Sequence, residues 1–123
     1  MLLFCVRRLP SLTIKHASTT PHTPQSYRTV DYTDLAAVSA AASQASTSGC
    51  NHPRIIAWVE TPSNPLLKVT DVTAVAAAVR EAVSKSSSSS EAVVVVDSTW
   101  LTPALMRPLV ECGADLVVHS TTK

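Results

Sequence analysis

The chain has 123 residues and a formal net charge of +1, with 46% hydrophobic and only 4% aromatic residues. This length is enough for one domain with its own core, and a near-neutral chain without a basic stripe excludes an electrostatic nucleic-acid-binding face. No apolar run approaches the roughly 20 residues that a transmembrane helix requires. Abundant Ala and Val with only two glycines favour buried strands and alanine-rich helices, so we expect an α/β fold.

The cysteines and histidines predict neither a disulfide framework nor a metal site. Cys5, Cys50 and Cys112 are odd in number and widely spaced, and the four histidines lack the spacing of metal ligands. We therefore expect a reducing, cytoplasmic compartment.

Residues 1–30 differ in composition from the rest of the chain. They contain no Asp or Glu, but they carry several Arg and Lys among Ser, Thr and Pro, which is typical of an organellar targeting peptide. The alternatives are a poorly ordered leader and sequence that is foreign to the domain. We leave this segment out of the predicted fold, because Pro21 and Pro24 disfavour a stable element there.

Regular patterns begin at Asp31. Thr33 is predicted to cap a first helix, in which apolar residues recur at helical spacing over residues 35–42. A short apolar run at residues 55–59 then predicts a buried strand that ends at Glu60.

Two prolines shape the loop after this strand. Pro62 and Pro65 fix their own φ angles and push the residues before them toward extended conformations. We therefore expect a rigid platform for Asn64 at the carboxyl end of the strand.

A second helix follows, capped by Thr70 or Asp71, with apolar residues on one face between positions 72 and 83. The serine tract that follows it cannot bury apolar surface, which predicts a solvated linker before the Val93–Val96 strand. Next, Thr102-Pro103 predicts the start of a short helical segment.

Within that segment Pro108 prevents one long regular helix, and Gly113 is placed to end it before the Leu116–Val118 strand. The last two strands and their connection thus form a βαβ unit. Parallel strands are expected here because the connection is too long for a hairpin.

Polar residues follow these last two strands where each strand ends. Asp97 ends the first strand, and Ser120, Thr122 and Lys123 follow the second. In an open parallel sheet the ligand crevice lies beyond the carboxyl ends of the strands. A carboxylate, two hydroxyls and an amine are therefore expected to face the same space.

Three ordered motifs carry a resemblance to a known family. They are Glu60-Thr61-Pro62-Ser63-Asn64-Pro65-Leu66-Leu67-Lys68-Val69, Val95-Val96-Asp97-Ser98-Thr99, and Gly113-Ala114-Asp115 with His119-Ser120-Thr121-Thr122-Lys123. From about Thr29 onward the chain resembles the pyridoxal-phosphate-dependent Cys/Met metabolism family, which includes cystathionine γ-synthases, γ- and β-lyases and methionine γ-lyase. The resemblance implies a three-layer α/β fragment of the aspartate-aminotransferase-like (type I) large domain, with parallel strands.

The resemblance also implies a role for each matching residue. Lys123 is the lysine that forms a Schiff base with pyridoxal 5'-phosphate, and Asp97 is the acidic partner that keeps the ring nitrogen protonated. Ser120 and Thr122 match the hydroxyls that contact the cofactor phosphate.

Two further residues match family residues that lie near the cofactor ring. Asn64 matches the asparagine that approaches the phenolic oxygen and the substrate end, and Thr99 matches a threonine near the ring. Taken singly, such residues are usually caps, turn residues or solvated side chains, and only their ordered combination favours a cofactor site.

Some positions depart from the family pattern. Ser98, Trp100 and Thr121 stand where the family commonly has Asn, Phe and Ala. We find no counterpart of the family's glycine-containing phosphate loop, its ring-stacking tyrosine or its substrate-carboxylate arginine. Residues 31–123 are therefore expected to be a partial cofactor-binding large domain, truncated at Lys123.

The resemblance implies a carbon-sulfur lyase or a γ-replacement enzyme of transsulfuration, in cysteine and methionine metabolism, with a small sulfur amino acid as substrate. The parent enzyme is expected to be a homotetramer, and the fragment is expected to be inactive alone. The alternative is a non-catalytic truncated product that acts as an interaction module or has no function. The sequence does not separate γ-synthase from γ-lyase or β-lyase.

Overall fold

The computed structural model of the chain describes residues 2–7, 27–47, 53–86, 89–101, 104–105 and 107–121. The elements in this part are, in chain order, β1 Leu2–Arg7, β2 Tyr27–Arg28, α1 Leu35–Ser46, β3 Pro53–Glu60, α2 Val72–Ser86, β4 Glu91–Asp97, α3 Pro108–Glu111 and β5 Leu116–Val118. The strands form one sheet in the order β2-β1-β3-β4-β5. The sheet and the helices packed on it place the candidate site at one edge.

The three strands predicted from apolar runs are present and parallel. β3 pairs with β4 from Arg54 opposite Glu91 to Glu60 opposite Asp97, and β4 pairs with β5 over three residues that end with Asp97 opposite Val118. An α/β fold with parallel strands is therefore confirmed.

Strand residues alternate between the two faces of the sheet, as the period of two requires. Ile55, Ala57 and Val59 of β3, with Val94 and Val96 of β4, are fully buried and belong to one core cluster. Each Ile or Val side chain of this set contributes roughly 1.5–3 kcal/mol relative to exposure, and Ala57 contributes less. The helices supply most of the remaining core: Val38, Ala41 and Ala42 from α1, and Val72, Val75, Ala76, Val79, Ala82 and Val83 from α2, while Tyr32 and Ala114 complete the cluster.

Helices α1 and α2 also pack against each other. Because both contribute to the same core cluster, they lie on the same face of the sheet. The described residues thus form two of the three layers that we expect.

Aspartates cap both long helices. The Asp34 side chain accepts a hydrogen bond from the Ala37 backbone N–H, so Asp34 is the cap of α1. The prediction that Thr33 caps this helix is wrong, because the Thr33 hydroxyl instead donates to Asp31 Oδ1 at 2.8 Å. For α2, the structure chooses Asp71 between the two predicted residues, since Asp71 Oδ1 accepts from the N–H of the third residue of the helix.

Residues 1–30, which we leave out of the predicted fold, contribute β1 and β2. Strand β1 pairs antiparallel with β3, from Leu2 opposite Trp58 to Arg7 opposite Pro53. The edge of β3 offers unpaired backbone groups, and an apolar run without proline can satisfy them. The prolines of this segment lie outside the described residues, and the targeting role stays a prediction.

The predicted start of the last helical segment, Thr102-Pro103, lies outside the described residues. Helix α3 begins at Pro108, where a proline costs no intrahelical hydrogen bond. Gly113 has a φ of +70°, a left-handed conformation that favours glycine after a helix, and it ends the segment as predicted.

The longest described helix, α2, has 15 residues and buries one face while Arg80, Glu81 and Lys85 lie on others. Within the described part of the chain, no helix combines the length and apolar character needed to cross a membrane. The same residues contain no group of three His, Cys, Asp or Glu side chains that could hold a metal ion.

Candidate functional site

The carboxyl ends of β3, β4 and β5 lie side by side. Glu60 is opposite Asp97, which is opposite Val118. Two backbone hydrogen bonds continue the pairing: Thr61 N–H donates to the Asp97 carbonyl at 3.3 Å, and Ser98 N–H donates to the Val118 carbonyl at 2.9 Å. Side chains that follow the three strands therefore share one edge of the sheet.

Thr99 connects two of the predicted site residues at this edge. Its hydroxyl donates to Asp97 Oδ1 at 2.6 Å and accepts from the Ser120 backbone N–H at 3.0 Å. The Thr99 backbone N–H also donates to Asp97 Oδ1 at 3.0 Å. Among the described residues none donates to Asp97 Oδ2, so the half-buried carboxylate has one oxygen held and the other available.

Asn64 lies on the loop of residues 61–70, and its side chain is exposed. The Thr61-Pro62 and Asn64-Pro65 peptide bonds are both cis. Within the described part of the chain, no hydrogen bond joins Asn64 to Asp97 or Ser120. The structure therefore brings Asp97, Thr99 and Ser120 into contact and leaves Asn64 on the neighbouring loop.

Hydrogen bonds close that loop at two levels. The outer one joins its two ends, where Thr61 Oγ1 accepts from the Thr70 N–H at 3.0 Å. The inner pair joins Ser63 and Lys68: Ser63 N–H donates to the Lys68 carbonyl at 2.9 Å, and Lys68 N–H donates to Ser63 Oγ at 3.1 Å. The sequence predicts a rigid loop from its prolines, but these side-chain bonds were not predictable from that pattern.

Thr122 and Lys123 lie outside the described residues. Their assigned roles, phosphate contact and cofactor attachment, remain predictions. The last described residue is Thr121, one position beyond Ser120, and both are exposed.

An ionic link stabilises the start of β5, and with it the position of the Ser120 segment. Arg80 Nη2 donates to both carboxylate oxygens of Asp115, at 3.0 and 2.8 Å. Asp115 Oδ2 also accepts from the Val94 backbone N–H at 2.7 Å. The Asp115 side chain therefore ties α2, β4 and the beginning of β5 together, a role that the Gly113-Ala114-Asp115 motif did not reveal by itself.

Ser98 is the one fully buried serine that the structure describes with no partner for its hydroxyl. It follows Asp97, so strand alternation places its side chain on the face of Val94 and Val96, toward the helices. A buried hydroxyl without a hydrogen bond costs about 1–3 kcal/mol. The sequence shows that Ser98 departs from the family pattern, but it does not reveal this energetic cost.

Two pKa shifts occur near the first helix. Hydrogen bonds from Thr33, and then from Lys68, lower the pKa of Asp31 to about 2. The Lys68 ammonium lies 3.3 Å from Asp31 Oδ2, so this pair links the turn before α1 to the Asn64 loop. Burial raises the pKa of Tyr32 to about 12.

Comparisons with known proteins agree with this arrangement. The family model described as Cys/Met metabolism PLP-dependent enzyme matches residues 17–123. Cystathionine gamma-synthase of Mycobacterium bovis is 43% identical over 97 residues, which are 79% of this chain and 21% of that protein. Cystathionine gamma-lyase of Saccharomyces cerevisiae is 46% identical over 68 residues, which are 55% of this chain and 16% of that protein.

A solved structure shows the same likeness. The crystal structure of cystathionine gamma synthase from Xanthomonas oryzae pv. oryzae in complex with aminoacrylate and cysteine matches with a TM-score of 0.56 and 41% identity, over 76% of this chain and 20% of that one. The present chain thus spans about a fifth of the length of these relatives. As the motifs and the parallel strands indicate, the chain belongs to the Cys/Met metabolism family of pyridoxal-phosphate-dependent enzymes.

Proposed function

We propose that the enzyme to which this chain contributes is a pyridoxal-phosphate-dependent carbon-sulfur lyase or γ-replacement enzyme of transsulfuration, with a small sulfur amino acid as substrate, and that the 123-residue chain alone is inactive. The observation that carries the proposal is the hydrogen-bonded set of Asp97, Thr99 and Ser120 at the carboxyl edge of the sheet. The relatives named cystathionine gamma-synthase and cystathionine gamma-lyase support the substrate class.

The carboxylate of Asp97 fits the ring nitrogen of pyridoxal phosphate. When bound, the cofactor supplies an electron sink, which works best when its pyridine nitrogen is protonated. Asp97 would accept the ring N–H through Oδ2, which accepts no hydrogen bond from a described residue. Thr99 would keep the carboxylate oriented by donating to Oδ1.

The remaining candidates would divide the other contacts with the cofactor. Ser120 and Thr122 would donate hydroxyl hydrogen bonds to the phosphate, and Lys123 would hold the cofactor through its amine. Asn64 would donate from its amide to the phenolic oxygen. The loop bonds that order the backbone around Asn64 support this last role.

Covalent trapping tests the attachment site. Because the 123-residue chain alone is expected to be inactive, the complete enzyme is incubated with pyridoxal phosphate, reduced with borohydride and mapped by mass spectrometry. The expected result is one modified lysine, Lys123, with modification lost in Lys123→Ala and retained in the matched control Lys85→Ala. Modification spread over exposed lysines, or unchanged in Lys123→Ala, would contradict the proposed cofactor site.

A second candidate function is non-catalytic binding to a full-length relative. The observation that favours it is the edge strand β5, where Leu116 is 56% exposed and Val118 is 37% exposed. Exposed apolar edge strands are templates for pairing with another chain. Under this candidate the 123-residue polypeptide shows no turnover of cystathionine but binds a purified enzyme of the family in sedimentation experiments, whereas turnover without such binding would contradict it.

Assembly and location also remain proposals. A homotetrameric parent enzyme and a cytoplasmic location fit the family, and size-exclusion chromatography with light scattering tests the first. Microscopy of the chain with and without residues 1–30 tests the second, since a targeting segment would redirect the protein only when it is present.

A further inference from the structure

We propose that Thr61 is a positioning residue whose buried hydroxyl closes the loop of residues 61–70 and thereby holds Asn64 at the edge of the sheet that carries Asp97. The inference rests on the proposed function, because it takes the role of Asn64 from there. It adds a residue that neither the motif roles nor the comparisons assign. Thr61 would act through Asn64 and would not itself touch the cofactor.

The bond that closes the loop lies in a dry environment. Thr61 is 1% exposed and Thr70 is 8% exposed, and the Thr70 N–H donates to Thr61 Oγ1 at 3.0 Å. Water cannot readily replace an acceptor at such a depth, so a lost hydroxyl would leave a buried N–H unpaired. Loss of this bond therefore costs more stability than loss of an exposed hydrogen bond of the same length.

The same residue is also tied to the candidate site. Its backbone N–H donates to the carbonyl of Asp97 at 3.3 Å, so Thr61 continues the parallel pairing one residue beyond β3. Asn64 follows only three positions later. The loop that Thr61 closes is therefore hydrogen-bonded directly to the backbone of Asp97, the residue proposed to bind the ring nitrogen.

Hydrogen bonds, and not apolar burial, order this loop. The apolar residues at its outer part are largely exposed: Leu66 by 72%, Leu67 by 57% and Val69 by 75%. Side chains with that much exposure contribute little hydrophobic stabilisation. What remains is the Ser63–Lys68 pair of bonds, the bond that the Leu67 N–H donates to the Ser63 carbonyl at 2.7 Å, and the outer bond from Thr70 to Thr61.

The far end of the loop is fastened to a stable element. Thr70 immediately precedes Asp71, the cap of α2, and Val72 is buried in the core. Closing the loop at Thr70 thus connects the end of β3 to the first turn of a packed helix. Because both ends of the loop are fixed and hydrogen bonds form inside it, the backbone around Asn64 has few alternative conformations.

Amide hydrogen exchange of the full chain tests the closure. Thr61→Val keeps the shape and removes the acceptor, whereas Thr61→Ser keeps the acceptor and serves as the matched control. We expect exchange at Leu67, Lys68 and Thr70 to become about tenfold faster or more in Thr61→Val, with little change in Thr61→Ser. Amides of β4 and α2 should keep their protection in both variants, which checks that each variant is folded.

Two outcomes of that measurement would overturn the inference. Unchanged exchange in Thr61→Val would show that the hydroxyl does not close the loop. Equal acceleration in every element would show that Thr61 acts only on global stability. Neither outcome depends on the cofactor.

Cofactor binding tests the link to Asn64. In the complete enzyme, the dissociation constant for pyridoxal phosphate, read from quenching of tryptophan fluorescence, should rise about tenfold in Thr61→Val and in Asn64→Ala, and the double variant should bind no more weakly than Asn64→Ala alone. Fully additive losses would overturn the positioning role. If the unchanged protein does not bind the cofactor, the proposed function fails, while the exchange experiment still decides whether Thr61 closes the loop.

Discussion

The hydroxyl of Thr99 donates to Asp97 Oδ1 at 2.6 Å and accepts from the backbone N–H of Ser120 at 3.0 Å. Through this one side chain, the residue that ends β4 is coupled to the segment that follows β5. Asp97, proposed to bind the ring nitrogen of the cofactor, and Ser120, proposed to bind its phosphate, are therefore positioned together. A shift of either turn would change both contacts.

Thr99→Val should separate these two turns. The variant loses the donor to Asp97 and the acceptor for Ser120, so in the complete enzyme we expect catalytic efficiency to fall about tenfold, or about 1.4 kcal/mol. The free energy of unfolding should fall by about 1 kcal/mol, measured by urea denaturation. Thr99→Ser keeps both bonds and is the control; equal losses in the two variants would show that the hydroxyl does not carry the coupling.

Asp97→Ala and Ser120→Ala should differ in kind when made in the complete enzyme. Without the Asp97 carboxylate we expect turnover to drop about a hundredfold or more, with a smaller loss of cofactor affinity. The reason is that this carboxylate stabilises the protonated ring nitrogen on which the electron sink depends. Ser120→Ala should weaken cofactor affinity about tenfold and change turnover little at saturation. Activity assays and equilibrium dialysis measure the two quantities, and small, equal effects in both variants would count against these roles.

Asp115→Ala should destabilise the protein more than Arg80→Ala. The pair is well formed but each side chain is about 40% exposed, so loss of Arg80 should cost less than about 1 kcal/mol. Loss of Asp115 also leaves the Val94 N–H without an acceptor, which should bring its cost to about 2 kcal/mol. Urea unfolding measures both, and a larger cost for Arg80→Ala would show that the ion pair, not the backbone bond, dominates.

Tyr32 should make the folded state sensitive to alkaline pH. Burial raises its pKa from 10.0 to about 12, so between these values the unfolded state loses the phenol proton while the folded state keeps it. The contribution of Tyr32 to the free energy of unfolding is fully present below pH 10. It declines by roughly 2–3 kcal/mol as the pH rises toward 12. Unfolding at several pH values, compared with Tyr32→Phe, isolates the effect; parallel curves for the two proteins would contradict it.

Ser98→Ala should not destabilise the protein. Its hydroxyl is buried and has no hydrogen-bond partner among the described residues, so removing the oxygen removes a desolvation cost. We expect the free energy of unfolding to stay the same or to rise by up to about 1 kcal/mol. A decrease of that size, seen in thermal or urea unfolding, would show that the hydroxyl has a partner in solution.

Local sequence patterns predict the parallel strands, the buried faces of the two long helices and the positions of Asp97 and Ser120 at neighbouring strand ends. These features follow from local rules. Apolar runs bounded by turn residues predict strands, and helical spacing predicts which side of α2 is buried. Gly113 was recognised in the same way, because the conformation after a helix end favours glycine. The burial expected for β5 is wrong, because Leu116 is 56% exposed and Val118 is 37% exposed.

The contacts between distant side chains depend on the folded molecule as a whole. The bonds from Thr99 to Ser120 and from Thr70 to Thr61 join residues 21 and nine positions apart, and no local pattern specifies such pairs. They depend on strand register and on the path of the loop, which are set by packing of the whole sheet. The same reason places β1 beside β3: a short apolar run forms a strand when a neighbouring edge offers its backbone groups, and that edge exists only in the folded molecule.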